Sequence, residues 1–95
     1  SATKAALIQV TKSQSIELAR YNICVNALAP GYILTDINRD QLEGETGDLI
    51  KKKIPLKRFA TVDELDTIIS MLLNTSNTYM TGAVVAVDGG LSTGL

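Results

Sequence analysis

Leu7, Val10 and Leu18 recur at near-helical spacing through residues 1 to 20, a stretch rich in alanine and free of glycine and proline. That pattern predicts a helix. Tyr21 and Asn22 break it, asparagine being a natural helix terminator. Residues 23 to 29 are then nearly continuous in apolar side chains, as expected of a buried strand covered on both faces. Residues 36 to 53 turn mixed and polar. Here Asp36 is placed to cap a short helix reaching Leu42, Asp48 to Lys53 can form another helical turn, and Gly44 and Gly47 read as hinges of a mobile segment lying over the ligand face. Ile54, Pro55 and Leu56 read as extended, because the residue before a proline avoids the helical region. Thr61 and Glu64 have the spacing of a capping box, which starts a helix to about Asn74 with Leu65, Ile68, Ile69, Leu72 and Leu73 on one face. A polar loop, 75 to 81, leads to a β-branched strand at 82 to 87, closed by Asp88, Gly89 and Gly90.

Strand, helical crossover and strand make the parallel unit of an α/β protein, for which a right-handed connection is expected. The first strand must stop at Pro30, which has no N–H for a sheet ladder. Gly31 then allows backbone angles that other residues avoid and a close approach to the main chain. In open α/β sheets ligands lie outside the carboxyl ends of the strands. A ligand is therefore expected across residues 30 to 35.

Composition narrows the chemistry. The chain has 95 residues, enough for one small domain, with 45% hydrophobic and 20% charged residues and a net charge of −1. That balance gives no footprint for nucleic acid or an anionic membrane. There is no histidine, which excludes His-based metal sites and Ser-His-Asp or Cys-His catalysis within the chain. The lone cysteine, Cys24, falls in the predicted strand and reads as a small buried apolar residue. With no partner for a disulfide, it fits a reducing compartment such as the cytoplasm. No apolar run approaches the roughly 20 residues that span a bilayer. The chain opens on Ser1 in mid-pattern, which reads as a piece of something longer.

Three motifs carry a family resemblance. Ser1 to Leu7 resembles the segment that follows the tyrosine of a Tyr-x-x-x-Lys motif. Arg20 to Gly31 resembles a sixth strand with its Pro-Gly turn. Met80, Thr81 and Gly82, with Val87 to Gly90, resemble the approach to and exit from a last strand. In that order and at those separations they are similar to the short-chain dehydrogenases/reductases. The resemblance implies the C-terminal part of a doubly wound parallel sheet (a Rossmann fold), with two strands and two main helices present, residues 1–95 forming one piece of a single NAD(P)-binding domain.

It also implies roles. Lys4 matches the family lysine, catalytic and cofactor-binding, whose ammonium bonds the nicotinamide ribose hydroxyls. A fixed cation one helical turn from a tyrosine also favours the phenolate. Pro30 and Gly31 match the turn beneath the nicotinamide, the Ile33 backbone meets its carboxamide, and the Thr35 hydroxyl reaches the carboxamide or pyrophosphate. Tyr32 is placed to line the substrate pocket. The cofactor implied is NAD or NADP, the substrate a small alcohol or carbonyl compound, and the assembly a homo-oligomer, dimer or tetramer, in which the 87–90 segment and the 62–74 helix meet another subunit and give Leu91 and Leu95 a partner. The tyrosine itself would stand just before Ser1, and the family's catalytic serine and glycine-rich loop would lie further upstream. No metal is implied. Gln14 and Ser15 depart from the apolar or small residues usual on this helix. Without the family, Lys4 reads as an ordinary solvated helix lysine, Tyr32 as an amphipathic surface tyrosine, Thr35 as a plain helix cap before Asp36 (a role that can coexist with cofactor binding), the Lys51, Lys52, Lys53, Lys57 and Arg58 cluster as a solvated face, and the chain as a non-catalytic α/β module serving packing or oligomerisation.

Overall fold

The computed structural model describes residues 2–93. In chain order they form helix α1 (Ala2–Leu18), a 3-10 turn (Ala19–Tyr21), strand β1 (Ala27–Pro30), helices α2 (Arg39–Leu42), α3 (Glu45–Lys53) and α4 (Val62–Leu73), strand β2 (Val84–Val87) and a closing 3-10 turn (Leu91–Thr93). β1 and β2 pair in one sheet. The Ala27 N–H donates to the Ala83 carbonyl, and the Gly31 N–H to that of Val87, each at 2.9 Å. Donor and acceptor numbers rise together, from 27 to 31 and from 83 to 87, so the strands are parallel. The helices between them form the crossover such a pair needs. The α/β class read from the sequence is what forms.

Two compact units make up the chain, one drawing on the stretches up to Ala29 and Ser70–Val85, the other on Pro30–Ile69 and the stretch from Ala86. In the first, α1 ends at Asn22, which takes the left-handed conformation (φ 59°, ψ 32°) and donates its N–H to the Ala19 carbonyl. The buried residues of α1 are not the apolar ones that signalled the helix. Leu7 and Val10 are exposed, whereas Thr11 and Ser15 are 4% and 6% exposed. With Ile8 and Leu18 half-buried, the inward stripe runs 8, 11, 15, 18. Small residues belong there because Gly82 (φ 76°) comes so close that a methyl group on it would sit 2.9 Å from the Ser15 Oγ. Burying the hydroxyls leaves nothing unsatisfied: Thr11 Oγ1 donates to the Leu7 carbonyl and Ser15 Oγ to that of Lys12, each at 2.7 Å.

Residues 23 to 26 do not join the strand predicted for them. One backbone bond, Gly82 N–H to the Val25 carbonyl at 2.7 Å, is joined there by side chains: Val25 N–H donates to Thr81 Oγ1 (3.0 Å), Asn26 Nδ2 to the Met80 carbonyl (2.9 Å), and Ala83 N–H to Asn26 Oδ1 (3.0 Å). Nor is the strand buried. Its residues are half-buried at most and Cys24 is exposed, its Sγ turned toward the Thr78 carbonyl at 3.8 Å. Among the described residues each strand has a single partner, so neither is sandwiched as a continuous apolar run would be.

In the second unit Ile54 (2% exposed), Leu42 and Phe59 form a core, with Leu34, Ile50 and Leu91 packed against it. Withdrawing Ile54 from water stabilises this unit by about 1.5–3 kcal/mol. Leu91, expected to want another subunit, thus has its partner here; Leu95 lies outside the described residues. The segment 36 to 53, expected to carry a short helix to Leu42 and a helical turn at 48–53, forms α2 and α3, packed on the core through Leu42 and Ile50. Gly44 stands at the N-cap of α3, and Gly47 is buried inside it, where a Cβ would lie 1.6 Å from the Leu42 carbonyl oxygen. Gly47 is a contact point, not a hinge. Asp36 caps nothing and meets Arg39 at 4.0 Å; Asn38 holds the N-cap position of α2. Ile54 is extended as expected (φ −89°, ψ 121°), but Pro55 and Leu56 form a turn closed by the Lys57 N–H on the Ile54 carbonyl at 2.8 Å.

α4 begins as predicted. Thr61 N–H donates to Glu64 Oε1 at 3.0 Å, and Glu64 N–H returns to Thr61 Oγ1 at 3.4 Å. Leu65, Ile68, Ile69 and Leu72 are half-buried, while Leu73, placed on the same face, is exposed.

Candidate functional site

The chain leaves β1 through Pro30 and Gly31 into an extended run that stays paired. Ile33 forms a parallel bridge with Ala60: Ala60 N–H donates to the Tyr32 carbonyl (3.1 Å) and Leu34 N–H to the Ala60 carbonyl (2.9 Å). In a parallel bridge of this pattern the N–H and C=O of Ile33 itself point the opposite way, as does the N–H of Thr35. On that outer edge Asn38 takes two of the groups: its Nδ2 donates to the Ile33 carbonyl at 2.8 Å and its Oδ1 accepts the Thr35 N–H at 2.7 Å. Among the described residues nothing accepts the Ile33 N–H or the Thr35 hydroxyl proton. Thr35 Oγ1 itself accepts the Asn38 N–H, at a long 3.4 Å. Two donors, on alternate residues of the extended run beyond β1, are thus left without an acceptor among the described residues.

Gly31 is required for a reason the sequence did not show. A Cβ there would come within 2.8 Å of the Asp88 Cα and Cβ, so the glycine lets the turn lie against the chain leaving β2. Asp88 in turn ties down its own exit, its carboxylate accepting the Gly90 and Ser92 N–H groups at 3.0 and 3.1 Å. Gly89 and Gly90 take positive φ (65° and 92°) to make that turn.

Tyr32 points away from the two donors. Its ring lies 6.1 Å from that of Phe59 at 54°, and it lines a pocket of about 110 Å³ with Ile54, Leu56, Ala60, Val87 and Gly89. Arg58 and Glu64 border the same pocket, joined as a fork: Nη1 to Oε1 at 2.7 Å and Nη2 to Oε2 at 2.8 Å. The Arg58 hydrogen bond, with the Thr61 N–H, pulls the Glu64 carboxyl down to about 2, and the same pair raises the Arg58 guanidinium. The basic cluster is thereby partly used up in the fold: besides Arg58, the Lys57 ammonium donates to the Lys52 carbonyl and the Lys51 ammonium lies 5.1 Å from the Phe59 ring centre. Among the described residues no group of three His, Cys, Asp or Glu side chains could hold a metal ion, and no helix is long and apolar enough to cross a membrane.

Comparison with known proteins bears on this geometry. A family model described as enoyl-(acyl carrier protein) reductase matches residues 1–92. A solved short-chain dehydrogenase family protein of Francisella tularensis superposes on 97% of the chain with a TM-score of 0.84 at 31% identity, using 42% of its own length. This chain belongs to the short-chain dehydrogenase/reductase family. A 3-oxoacyl-(acyl-carrier-protein) reductase of Aquifex aeolicus is 43% identical over 91 residues, which are 96% of this chain and 36% of that protein. A D-arabinitol 2-dehydrogenase of Scheffersomyces stipitis is 41% identical over 93% of the chain and 33% of its own length. A 4-hydroxyisoleucine dehydrogenase complexed with NADH matches 99% of the chain at 28% identity, with a TM-score of 0.87. The chain spans about a third of the length of the curated relatives it matches.

Of the residues singled out for this family role, Pro30 to Thr35 form one continuous run in the second unit, with Tyr32 turned to a different pocket from Thr35. Lys4 stands in α1 of the first unit, one turn before Ile8, and is exposed. Sequence reasoning missed Asn38. The signal available was a Thr35-x-x-Asn38 spacing just ahead of a helix, which competes locally with Asp36.

Proposed function

We propose that this chain supplies the nicotinamide-facing part of an NAD- or NADP-dependent oxidoreductase acting between hydroxyl and carbonyl groups of a small molecule. The observation that carries it is the pair of uncommitted donors, the Ile33 N–H and the Thr35 hydroxyl, on one edge of an extended run at the end of a parallel strand. Such donors suit the carboxamide and phosphate oxygens of a dinucleotide, and ligands of open α/β sheets lie at that end. The residues present therefore fit the group. When bound, the nicotinamide gives or takes a hydride at the substrate carbon.

The chain's own residues do the rest of this share. Pro30 and Gly31 set the floor of the site, Gly31 by allowing contact with Asp88. Ile33 N–H and Thr35 Oγ hold the ring end of the cofactor and fix which face is offered. Lys4 binds the ribose hydroxyls and keeps a positive charge by the family's tyrosine, stabilising its phenolate so that it can exchange a proton with the substrate oxygen. The resemblance puts that tyrosine outside these residues. Tyr32, turned into a mostly apolar pocket away from these donors, takes no part in holding the cofactor. The protein works as a homo-oligomer in the cytoplasm, away from membranes and nucleic acid; a monomer by light scattering at micromolar concentration would overturn the oligomer.

The test uses the full-length protein. Lys4→Ala is expected to lower kcat by on the order of 10²-fold or more and to weaken nucleotide binding, with Lys4→Arg retaining part of both. Unchanged steady-state rates in Lys4→Ala would remove Lys4 from the reaction. Failure of the wild type to bind either nicotinamide nucleotide would remove the whole reading.

A further inference from the structure

Asn38 occupies the N-cap of α2, where an asparagine ordinarily turns its oxygen onto the first amides of its own helix. Here it makes no such bond. Its amide points backward, giving Nδ2 to the Ile33 carbonyl at 2.8 Å and Oδ1 to the Thr35 N–H at 2.7 Å. One acceptor and one donor, on residues two apart along an extended run, are the pair that a single residue of a neighbouring parallel strand would engage. The asparagine side chain is chemically a peptide unit, and it stands where a third strand would lie.

We propose that Asn38 is a positioning residue for the nicotinamide subsite. By engaging the Ile33 carbonyl and the Thr35 amide, it pins both sides of Leu34 and leaves the adjacent Ile33 N–H and the Thr35 hydroxyl as the groups on that edge. The opposite edge is already held by the Ala60 bridge, so the run is fixed on both edges and its two remaining donors cannot turn away. The Thr35 N–H on Asn38 Oδ1, with the Asn38 N–H on Thr35 Oγ1 at 3.4 Å, closes a capping box ahead of α2, but the Nδ2 bond back to the Ile33 carbonyl is more than a cap requires. A preorganised binding edge explains that bond. The inference rests on the reading of this edge as the nicotinamide site.

The experiment compares NAD(P)H with ADP-ribose, which lacks the nicotinamide, by calorimetry on the full-length protein and its Asn38→Ala and Asn38→Asp variants. Two hydrogen bonds of ordinary strength hold the edge, so Asn38→Ala should weaken NAD(P)H binding by about tenfold. ADP-ribose affinity should stay unchanged. Asn38→Asp keeps an acceptor for the Thr35 N–H but turns a carboxylate toward the Ile33 carbonyl, and should lose at least as much, again only for NAD(P)H. The selectivity is the readout, because a general loss of structure would lower both affinities together. Equal losses for the two ligands, or none, in whichever variant folds, would overturn the role of Asn38. A wild type that binds neither ligand would instead refute the site itself, and Asn38 with it.

Discussion

A methyl group at Gly47 has nowhere to go. Helix propensity favours Gly→Ala in a helix interior by roughly 0.5–1 kcal/mol. The Leu42 carbonyl oxygen, 1.6 Å from where the Cβ would sit, reverses the sign. Gly47→Ala is expected to destabilise the protein by about 1–3 kcal/mol, read as a lower melting temperature, and a rise would show that α2 and α3 part easily. No spacing rule identifies such a position, because the obstructing atom belongs to another helix. Glycine in a polar stretch reads locally as a hinge. Asn38 was legible only in part: with Thr35 it has the spacing of a capping box, but its Nδ2 bond to the Ile33 carbonyl lies outside that motif.

The start of α4 is the opposite case. Thr61 and Glu64 form their capping box from four consecutive residues, so its evidence is wholly local and was legible. Thr61→Ala is expected to cost about 1 kcal/mol by thermal melt. The Glu64 carboxyl, held down to about 2 by Arg58 and the Thr61 amide, ties this cap to pH. A carboxyl lowered on folding contributes stability above its ordinary range and loses it as pH falls toward the lowered value. The melting temperature should therefore drop between about pH 4.5 and pH 2, by less in Glu64→Gln, with identical profiles in the two proteins ruling out the linkage. Being half-exposed, the pair is screened by salt, and high ionic strength should shrink the difference. In α1 the local signal pointed to the wrong face. Leu7 and Val10 announce a helix, but Thr11 and Ser15 are the buried residues, and Gly82 leaves room only for a side chain as small as Ser15.

Residues 1 to 95 as an isolated polypeptide are expected to hold a fold poorly. Among the described residues the sheet has two strands, which are marginal without cover on their faces, and a chain of this size buries only about 60–65% of its unfolded surface. Large apolar side chains stand in water in both units, among them Ile16 and Tyr79 in the first and Ile37, 97% exposed, in the second. The expectation is a broad thermal melt, weak near-ultraviolet circular dichroism and no saturable quenching with NADH. A cooperative melt together with saturable binding would show that the two strands and four helices suffice.

Periodicity, proline and glycine placement, and short capping motifs located the helices and strands, the parallel α/β plan and the Pro30–Thr35 run, because each depends on residues close in the chain. Three motifs in order were enough to point to the family. Burial was a different matter. Which face of α1 turns inward, why Gly31 and Gly47 must be glycine, that Cys24 is exposed, and that the Asn38 side chain bonds the Ile33–Thr35 backbone all depend on atoms brought together from distant or oppositely facing segments. Close packing is decided by the neighbour's shape as much as by the residue's own chemistry, and only the folded chain supplies the neighbour.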